Sequence, residues 1–151
     1  MKLLVVIPEG MREPSVARLP HDGRASISQL AQRLSRELGL EKSLLFLHAD
    51  RLPSLSTAQI VRRDFGRNIP MNSSIELGDR NDVPGTKEQI REYLATRQNE
   101  AEIIFLILFQ ESVFEFTRLF MGELRSCFKN IPIQPGQAFV IDIEERAIET
   151  I

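Results

Sequence analysis

The run from Ile103 to Phe109 constrains the fold more than any other segment, because every residue in it is apolar. A helix or strand at the surface carries polar residues on the side that faces water, whereas a strand covered on both faces is apolar throughout. Such strands are typical of the centre of a mostly parallel sheet. The run is also far shorter than the roughly 20 residues that cross a membrane as a helix. It therefore predicts a central strand with helices on both sides.

Strand-like and helix-like segments alternate along the rest of the chain. Further strand-like runs span Lys2 to Ile7, Ser43 to His48 and Ala138 to Ile143. Between most of them, apolar residues recur at spacings of three and four, which places them on one face of a helix. These positions are Ile27, Leu30, Ala31, Leu34 and Leu38, and then Leu55, Ala58, Val61 and Phe65 in a helix predicted to begin near Pro53. The alternation predicts a single α/β domain over residues 1–151, with three layers and a mostly parallel central sheet flanked by helices.

Short polar signals predict where the helices begin. Thr86-x-x-Gln89 and Ser112-x-x-Glu115 are capping-box sequences, in which two side chains satisfy backbone N–H groups of a first helical turn. We therefore expect helices that start near Thr86 and Ser112, and an earlier one that starts near Arg24.

Two segments lack periodicity and are predicted as loops. They span Met11 to His21 and Pro70 to Gly85, and both contain prolines. In open α/β sheets, the loops that follow the strands shape the binding pocket. His21 is expected to lie in the first of these loops, in contact with solvent.

Composition argues against several classes of partner and site. The chain has 19 basic and 21 acidic residues, a net charge of −2 and no basic run, so no nucleic-acid surface is predicted. Its one cysteine, Cys127, is expected to be a small apolar helix residue, and with only two histidines no metal site or cofactor is predicted. Met1-Lys2 leads directly into a strand without a signal peptide, so a cytoplasmic protein that does not contact membranes is expected.

Four signals follow one another along the chain. They are the opening strand, Leu19 to Ala25 followed by Leu30 to Leu34, Ser56 to Val61, and Ile104 to Leu108 leading through Phe109-Gln110-Glu111-Ser112 into a helix that reaches Gly122. In this order they resemble the histidine phosphatase superfamily, in particular its short bacterial phosphohistidine-phosphatase branch. The resemblance covers nearly the whole chain. The resemblance implies the phosphoglycerate mutase-like fold.

The resemblance also implies a mechanism whose reactive residues are absent from the corresponding positions. The family uses a nucleophilic histidine in an R-H-G motif after the first strand, and a second histidine and two arginines bind the phosphate. Here the R-H-G motif falls on Pro8, Glu9 and Gly10, the second arginine on Ser56 and the second histidine on Gln110. Loss of a catalytic nucleophile alone can lower the rate by about 10⁶. The resemblance thus implies a degenerate site without catalytic residues.

Two further positions complete this degenerate pocket. Phe109 stands where the family has a glycine beside the second histidine, so its ring is expected to fill space that the family leaves open. Asp79 lies in the region that resembles the segment of the family's general acid. The former cleft is therefore expected to be either closed by Phe109 and Pro8 or adapted to a new ligand.

Four residues near the expected pocket could have a functional role, but each also has a simpler structural explanation. Glu9 is expected to be a solvated or capping carboxylate, and His48 an imidazole packed at a strand end. Arg12 and Arg51 are expected to be surface arginines, although they could supply positive charge to a remodelled pocket.

Three functions remain open on the sequence. The first is a catalytically inactive histidine-phosphatase-like domain that binds or scaffolds an unknown protein partner or small ligand. The second is a phosphohistidine or small phosphomonoester phosphatase whose non-standard site uses His48, Glu9 or a group that the alignment misplaces. The third is a flavodoxin-like receiver or nucleotide domain, which the absence of a glycine-rich phosphate loop and of an acidic cluster disfavours. The phenylalanines from Phe105 to Phe128 are expected to be mostly core and leave a homo-oligomer open.

Overall fold

A mixed sheet forms the centre of the fold in the computed structural model, which describes residues 1–10, 19–39, 41–66, 68–124 and 132–151. Within these residues the strands are β1 (Leu3–Pro8), β2 (Leu44–Ala49), β3 (Met71–Ser74), β4 (Ile103–Leu108), β5 (Phe139–Asp142) and β6 (Ala147–Thr150). The helices are α1 (His21–Leu38), α2 (Leu52–Phe65), α3 (Lys87–Arg97) and α4 (Gln110–Glu123), with one 3₁₀ turn at Ile75–Leu77. None of the helices in the described ranges is long and apolar enough to cross a membrane.

The strand order in the sheet is β3-β2-β4-β1-β5-β6. The strands β1 to β4 run parallel, whereas β5 is antiparallel to β1 and β6 to β5. The prediction that β1 and β4 are interior strands is confirmed, and every residue of β4 is buried. Their unbroken apolar sequences follow from this position, because both faces of an interior strand are covered by helices.

Alternate residues of β4 face different helices. Ile104, Leu106 and Leu108 pack in a core cluster with residues of α3 and α4, whereas Phe105 and Ile107 pack with residues of α1 and α2. The rings of Phe46 and Phe105 stack at 4.3 Å between centroids, and Phe65 meets both edge-on. The three-layer architecture predicted from the sequence is therefore confirmed.

The loop predicted from Pro70 to Gly85 is wrong in part, because β3 and the 3₁₀ turn lie within it. Three of the four β3 residues, Met71-Asn72-Ser73-Ser74, are polar, and the strand pairs only with β2 at the edge of the sheet. The other edge strand, β6, is likewise largely exposed and was not predicted. Edge strands with little burial lack the apolar signal on which sequence patterns depend.

The predicted helix starts have different outcomes. The Thr86 capping box is confirmed: the Gln89 backbone N–H donates to Thr86 Oγ1 at 3.2 Å, and Thr86 N–H donates to Gln89 Oε1 at 2.9 Å. The Ser112 box is wrong, because α4 begins at Gln110 and the Ser112 hydroxyl donates to the Gly85 carbonyl at 3.1 Å. Here a tertiary hydrogen bond replaces the local one.

His21 lies at the first position of α1 and not in a loop, although its side chain is exposed as expected. The first turn of α1 has no apolar periodicity, and the helix starts with the hydrogen bond from Arg24 N–H to the Pro20 carbonyl. Cys127, Phe128 and Arg12 lie outside the described residues.

Candidate functional site

The parallel register of β1 and β4 brings the two predicted site segments together. Pro8 is aligned with Leu108, and Glu9 N–H donates to the Leu108 carbonyl at 2.8 Å. The residues that follow the two strands therefore meet at the carboxyl ends of β1 and β4. They lie beside a pocket of about 390 Å³ that we call the Glu9 pocket. It is lined by Glu9, Gly10, Arg51, Asp82, Pro84, Phe109, Gln110, Glu111 and Pro135. Pro8 is buried within β1.

The Glu9 carboxylate forms a buried ion pair with Arg51. Arg51 Nε lies 3.4 Å from Glu9 Oε2, and the two side chains are only 5% and 11% exposed. The hydroxyl of Ser54, in the first turn of α2, donates to the same carboxylate oxygen at 2.6 Å. The expectations of a solvated Glu9 and a surface Arg51 are therefore wrong, because each charge compensates the other inside the protein.

Arg51 has two more partners. Its Nη2 lies 3.2 Å from Asp82 Oδ1, and its guanidinium carbon lies 4.1 Å from the centroid of the Phe109 ring. A guanidinium over an aromatic face is attracted by the ring electrons. Arg51 thus connects the turn after β2 to β1, to the loop after β3 and to the start of α4.

Phe109 fills much of the space at the end of β4. Its side chain is 4% exposed, and it belongs to the core cluster on the α3 and α4 side of the sheet. Gly78 has φ 136° and packs so closely that a Cβ there would overlap the Phe109 ring. The sequence left open whether the cleft is closed by Phe109 and Pro8 or adapted to a new ligand. The Phe109 ring lies beneath Arg51 and against Gly78, and it also lines the Glu9 pocket.

Gln110 is held by a contact across the pocket wall. Its Nε2 donates to the Ile133 carbonyl at 2.6 Å. Its Oε1 is buried and has no hydrogen-bond partner within the described part of the chain. One of the two N–H donors of this amide is therefore used by the backbone.

The other predicted positions lie elsewhere. Ser56 lines a groove between α1 and α2, together with Arg24 and Arg63. The Asp79 carboxylate accepts hydrogen bonds from the backbone N–H groups of Asn81 at 2.8 Å and Val83 at 3.3 Å, which fixes the turn that it begins.

Sequence reasoning missed two polar residues of α2 that lie near the end of β1, namely Ser54 and Thr57. Thr57 Oγ1 accepts a hydrogen bond from Gly10 N–H at 3.0 Å. Both residues are fully buried, and they lie three positions apart, on one helix face. A polar pair at this spacing on the buried face of a helix was the available signal.

His48 lies at a second, larger pocket of about 550 Å³ beside the first turn of α2. The side chain is 4% exposed, and its Nδ1 lies 2.8 Å from the Ala49 carbonyl. Burial lowers the pKa of His48, against smaller opposing effects of the Ala49 carbonyl and Asp50. The imidazole is therefore neutral at about pH 7. In the described ranges, no group of three or more His, Cys, Asp or Glu side chains is placed to hold a metal ion.

Comparison with solved structures identifies the fold. A protein from Agrobacterium tumefaciens assigned as the phosphohistidine phosphatase SixA matches with a TM-score of 0.68 and 15% identity, over 99% of this chain and 95% of that chain. An Escherichia coli protein assigned as an alpha-ribazole-5'-P phosphatase matches with a TM-score of 0.72 and 13% identity, over 99% and 94%. The histidine phosphatase SixA in complex with tungstate matches with a TM-score of 0.64 and 16% identity, over 99% and 94%.

No family model matches the sequence, and no curated protein matches it significantly. The solved structures are less than 25% identical to this chain, so they establish its fold and not its activity. The chain has the phosphoglycerate mutase-like fold of these phosphatases, as the sequence predicted.

Truncation of Phe109 tests whether its ring is structural. We expect Phe109→Ala to lower the free energy of unfolding by about 3–5 kcal/mol, because the ring is buried and its loss leaves a cavity. Phe109→Leu, which keeps most of the apolar volume, should cost clearly less. Urea unfolding of both variants measures the difference. A loss below about 1 kcal/mol for Phe109→Ala would show that the ring lines an open pocket.

The buried imidazole should make stability depend on pH. The folded protein keeps His48 neutral below its ordinary pKa of 6.5, whereas the unfolded chain binds a proton there. The free energy of unfolding should therefore fall as the pH drops through 6.5, by no more than about 1.4 kcal/mol per pH unit from this group. Urea unfolding at about pH 7.5 and 5.5 should show this loss in the wild type and in His21→Phe, but a smaller one in His48→Phe. Equal losses in all three proteins would exclude His48 as the cause.

Proposed function

We propose that this protein is a catalytically inactive histidine-phosphatase-like domain with a binding or scaffolding role. The observation that carries the proposal is the buried ion pair between Glu9 and Arg51. At the position of the nucleophilic histidine implied by the resemblance, the chain has a carboxylate, and that carboxylate lies against the buried guanidinium of the pocket.

Electrostatics at the Glu9 pocket disfavours a phosphate. Among the described residues, the carboxylates of Glu9, Asp82 and Glu111 line it, against one guanidinium, that of Arg51. Two unit charges of the same sign at about 4 Å repel by roughly 4 kcal/mol at an effective dielectric constant of about 20. Arg51 is already engaged with Glu9 and Asp82, so a phosphate would have to displace a carboxylate to reach it.

The packing of side chains also disfavours a phosphate at the Glu9 pocket. Phe109 occupies the end of β4 beneath Arg51, and the Gln110 amide donates to the Ile133 carbonyl. A transition state for phosphoryl transfer needs preorganised donors around three equatorial oxygens. The side chains at this pocket are instead committed to one another, which supports a structural role for the residues at the former centre.

A second candidate is a phosphohistidine or small phosphomonoester phosphatase with a non-standard site. It is favoured by the fold that the chain shares with phosphatases and by the neutral imidazole of His48 at a pocket. Against it, Arg80 Nε pairs with Asp50 Oδ2 at 2.9 Å and Arg51 pairs with Glu9 and Asp82. The guanidiniums near His48 are therefore neutralised by carboxylates.

The proposal predicts no turnover of a phosphohistidine peptide or of p-nitrophenyl phosphate by the purified wild-type chain. The assay should be run beside Glu9→Ala and His48→Ala, which remove the two candidate nucleophiles. Turnover that persists through purification and is lost in either variant would establish the second candidate instead.

Removal of Glu9 should make Arg51 available to anions. We expect Glu9→Ala to bind tungstate at least about tenfold more tightly than the wild type, a difference of about 1.4 kcal/mol. The matched control is Glu88→Ala, which removes an exposed carboxylate in the first turn of α3. Isothermal titration calorimetry measures the affinities. Equal tungstate binding by all three proteins would contradict the view that Glu9 blocks an anion site.

A further inference from the structure

The larger pocket, which we call the His48 pocket, lies at the carboxyl ends of β2 and β3. The parallel register aligns His48 with Ser73, so the two side chains project from the same face of the sheet. Met71 precedes Ser73 by two residues on that face, and Leu52 and Pro53 contribute the first turn of α2. The volume of about 550 Å³ lies within the range of roughly 300–1,000 Å³ that is typical of small-molecule sites.

The imidazole of His48 presents a hydrogen-bond acceptor to this pocket. A carbonyl oxygen only accepts, so the 2.8 Å contact with the Ala49 carbonyl places the proton on Nδ1. The neutral ring then has its lone pair on Nε2, for which no partner is found among the described residues. His48 lines the pocket, so Nε2 is available there to accept a hydrogen bond from a ligand.

The charges around the pocket cancel, and an apolar wall remains. Asp50 pairs with Arg80 at 2.9 Å, and Asp82 pairs with Arg51 at 3.2 Å. Leu52 is 56% exposed at the pocket, although it is a large apolar side chain. Leu55, Pro53 and Met71 extend this apolar surface. A charged ligand would gain little here, whereas a flat apolar body would cover exposed side chains.

We propose that the His48 pocket binds an uncharged aromatic molecule whose hydroxyl or N–H group donates a hydrogen bond to His48 Nε2. The ring of this ligand packs on Leu52, Pro53 and Met71. The inference builds on the proposed binding role and locates it in the His48 pocket, which shares Arg51 and Asp82 with the Glu9 pocket. It requires no phosphate recognition and no chemical step.

The test uses phenol as the probe and anisole, which lacks the O–H donor, as its matched control. The full-length protein, labelled with ¹⁵N in its histidines, is titrated with each compound at about pH 7.5. We expect phenol to bind at least about tenfold more tightly than anisole and to shift the Nε2 resonance of His48 but not the resonances of His21.

Variants distinguish specific recognition of phenol by His48 from nonspecific hydrophobic binding. His48→Phe should lower the affinity for phenol to that for anisole, and Ser73→Phe should weaken the binding of both compounds by filling the pocket from an exposed position. His21→Phe, at a fully exposed site, should change neither affinity. Ser73→Phe changes no core residue, so it keeps the test informative if His48→Phe does not fold.

Several outcomes would overturn the inference. These are the absence of phenol binding, equal binding of phenol and anisole, and unchanged phenol binding in Ser73→Phe or in a folded His48→Phe. The phosphatase assay is read separately. Absence of turnover together with absence of phenol binding overturns only the ligand site, whereas turnover that depends on His48 or Glu9 overturns the proposed function.

Discussion

The arrangement of the Glu9 pocket depends on the buried ion pair between Glu9 and Arg51. It joins the end of β1 to the start of α2, and through Asp82 and the Phe109 ring it also reaches the loop after β3 and the start of α4. Removal of one partner from a buried pair typically costs about 3–5 kcal/mol, because the other charge remains without compensation. The ion pair therefore gives Glu9 and Arg51 a structural role where β1 and β2 end.

Arg51 also relates the two pockets to each other. Together with Asp82 it lines both the Glu9 pocket and the His48 pocket, so the same guanidinium forms part of each wall. A group that drew Arg51 away from Glu9 would alter the shape and the charge of both pockets at once. The internal partners of Arg51 oppose such a movement, and this keeps the charges beside His48 balanced.

Sequence patterns predicted the parts of the fold in which burial is extensive. The apolar runs of β1 and β4 report their interior position directly, and the Thr86 box is local. The sequence patterns did not predict the edge strand β3, because it is polar and mostly unburied. The sequence did not predict the burial of Glu9 and Arg51 for a different reason. The two residues lie far apart along the chain, and only the fold brings them into contact.

The same distinction separates the residues that stabilise the sheet from those that line its pockets. The sheet is stabilised by apolar contacts within its layers, whereas the residues that follow β1 and β4 also line a pocket. Glu9 neutralises the buried cation of this pocket. A histidine at this position alone would therefore leave Arg51 with less compensation and Phe109 still beneath it. The chemistry of this pocket is therefore a property of the whole cluster and not of one side chain.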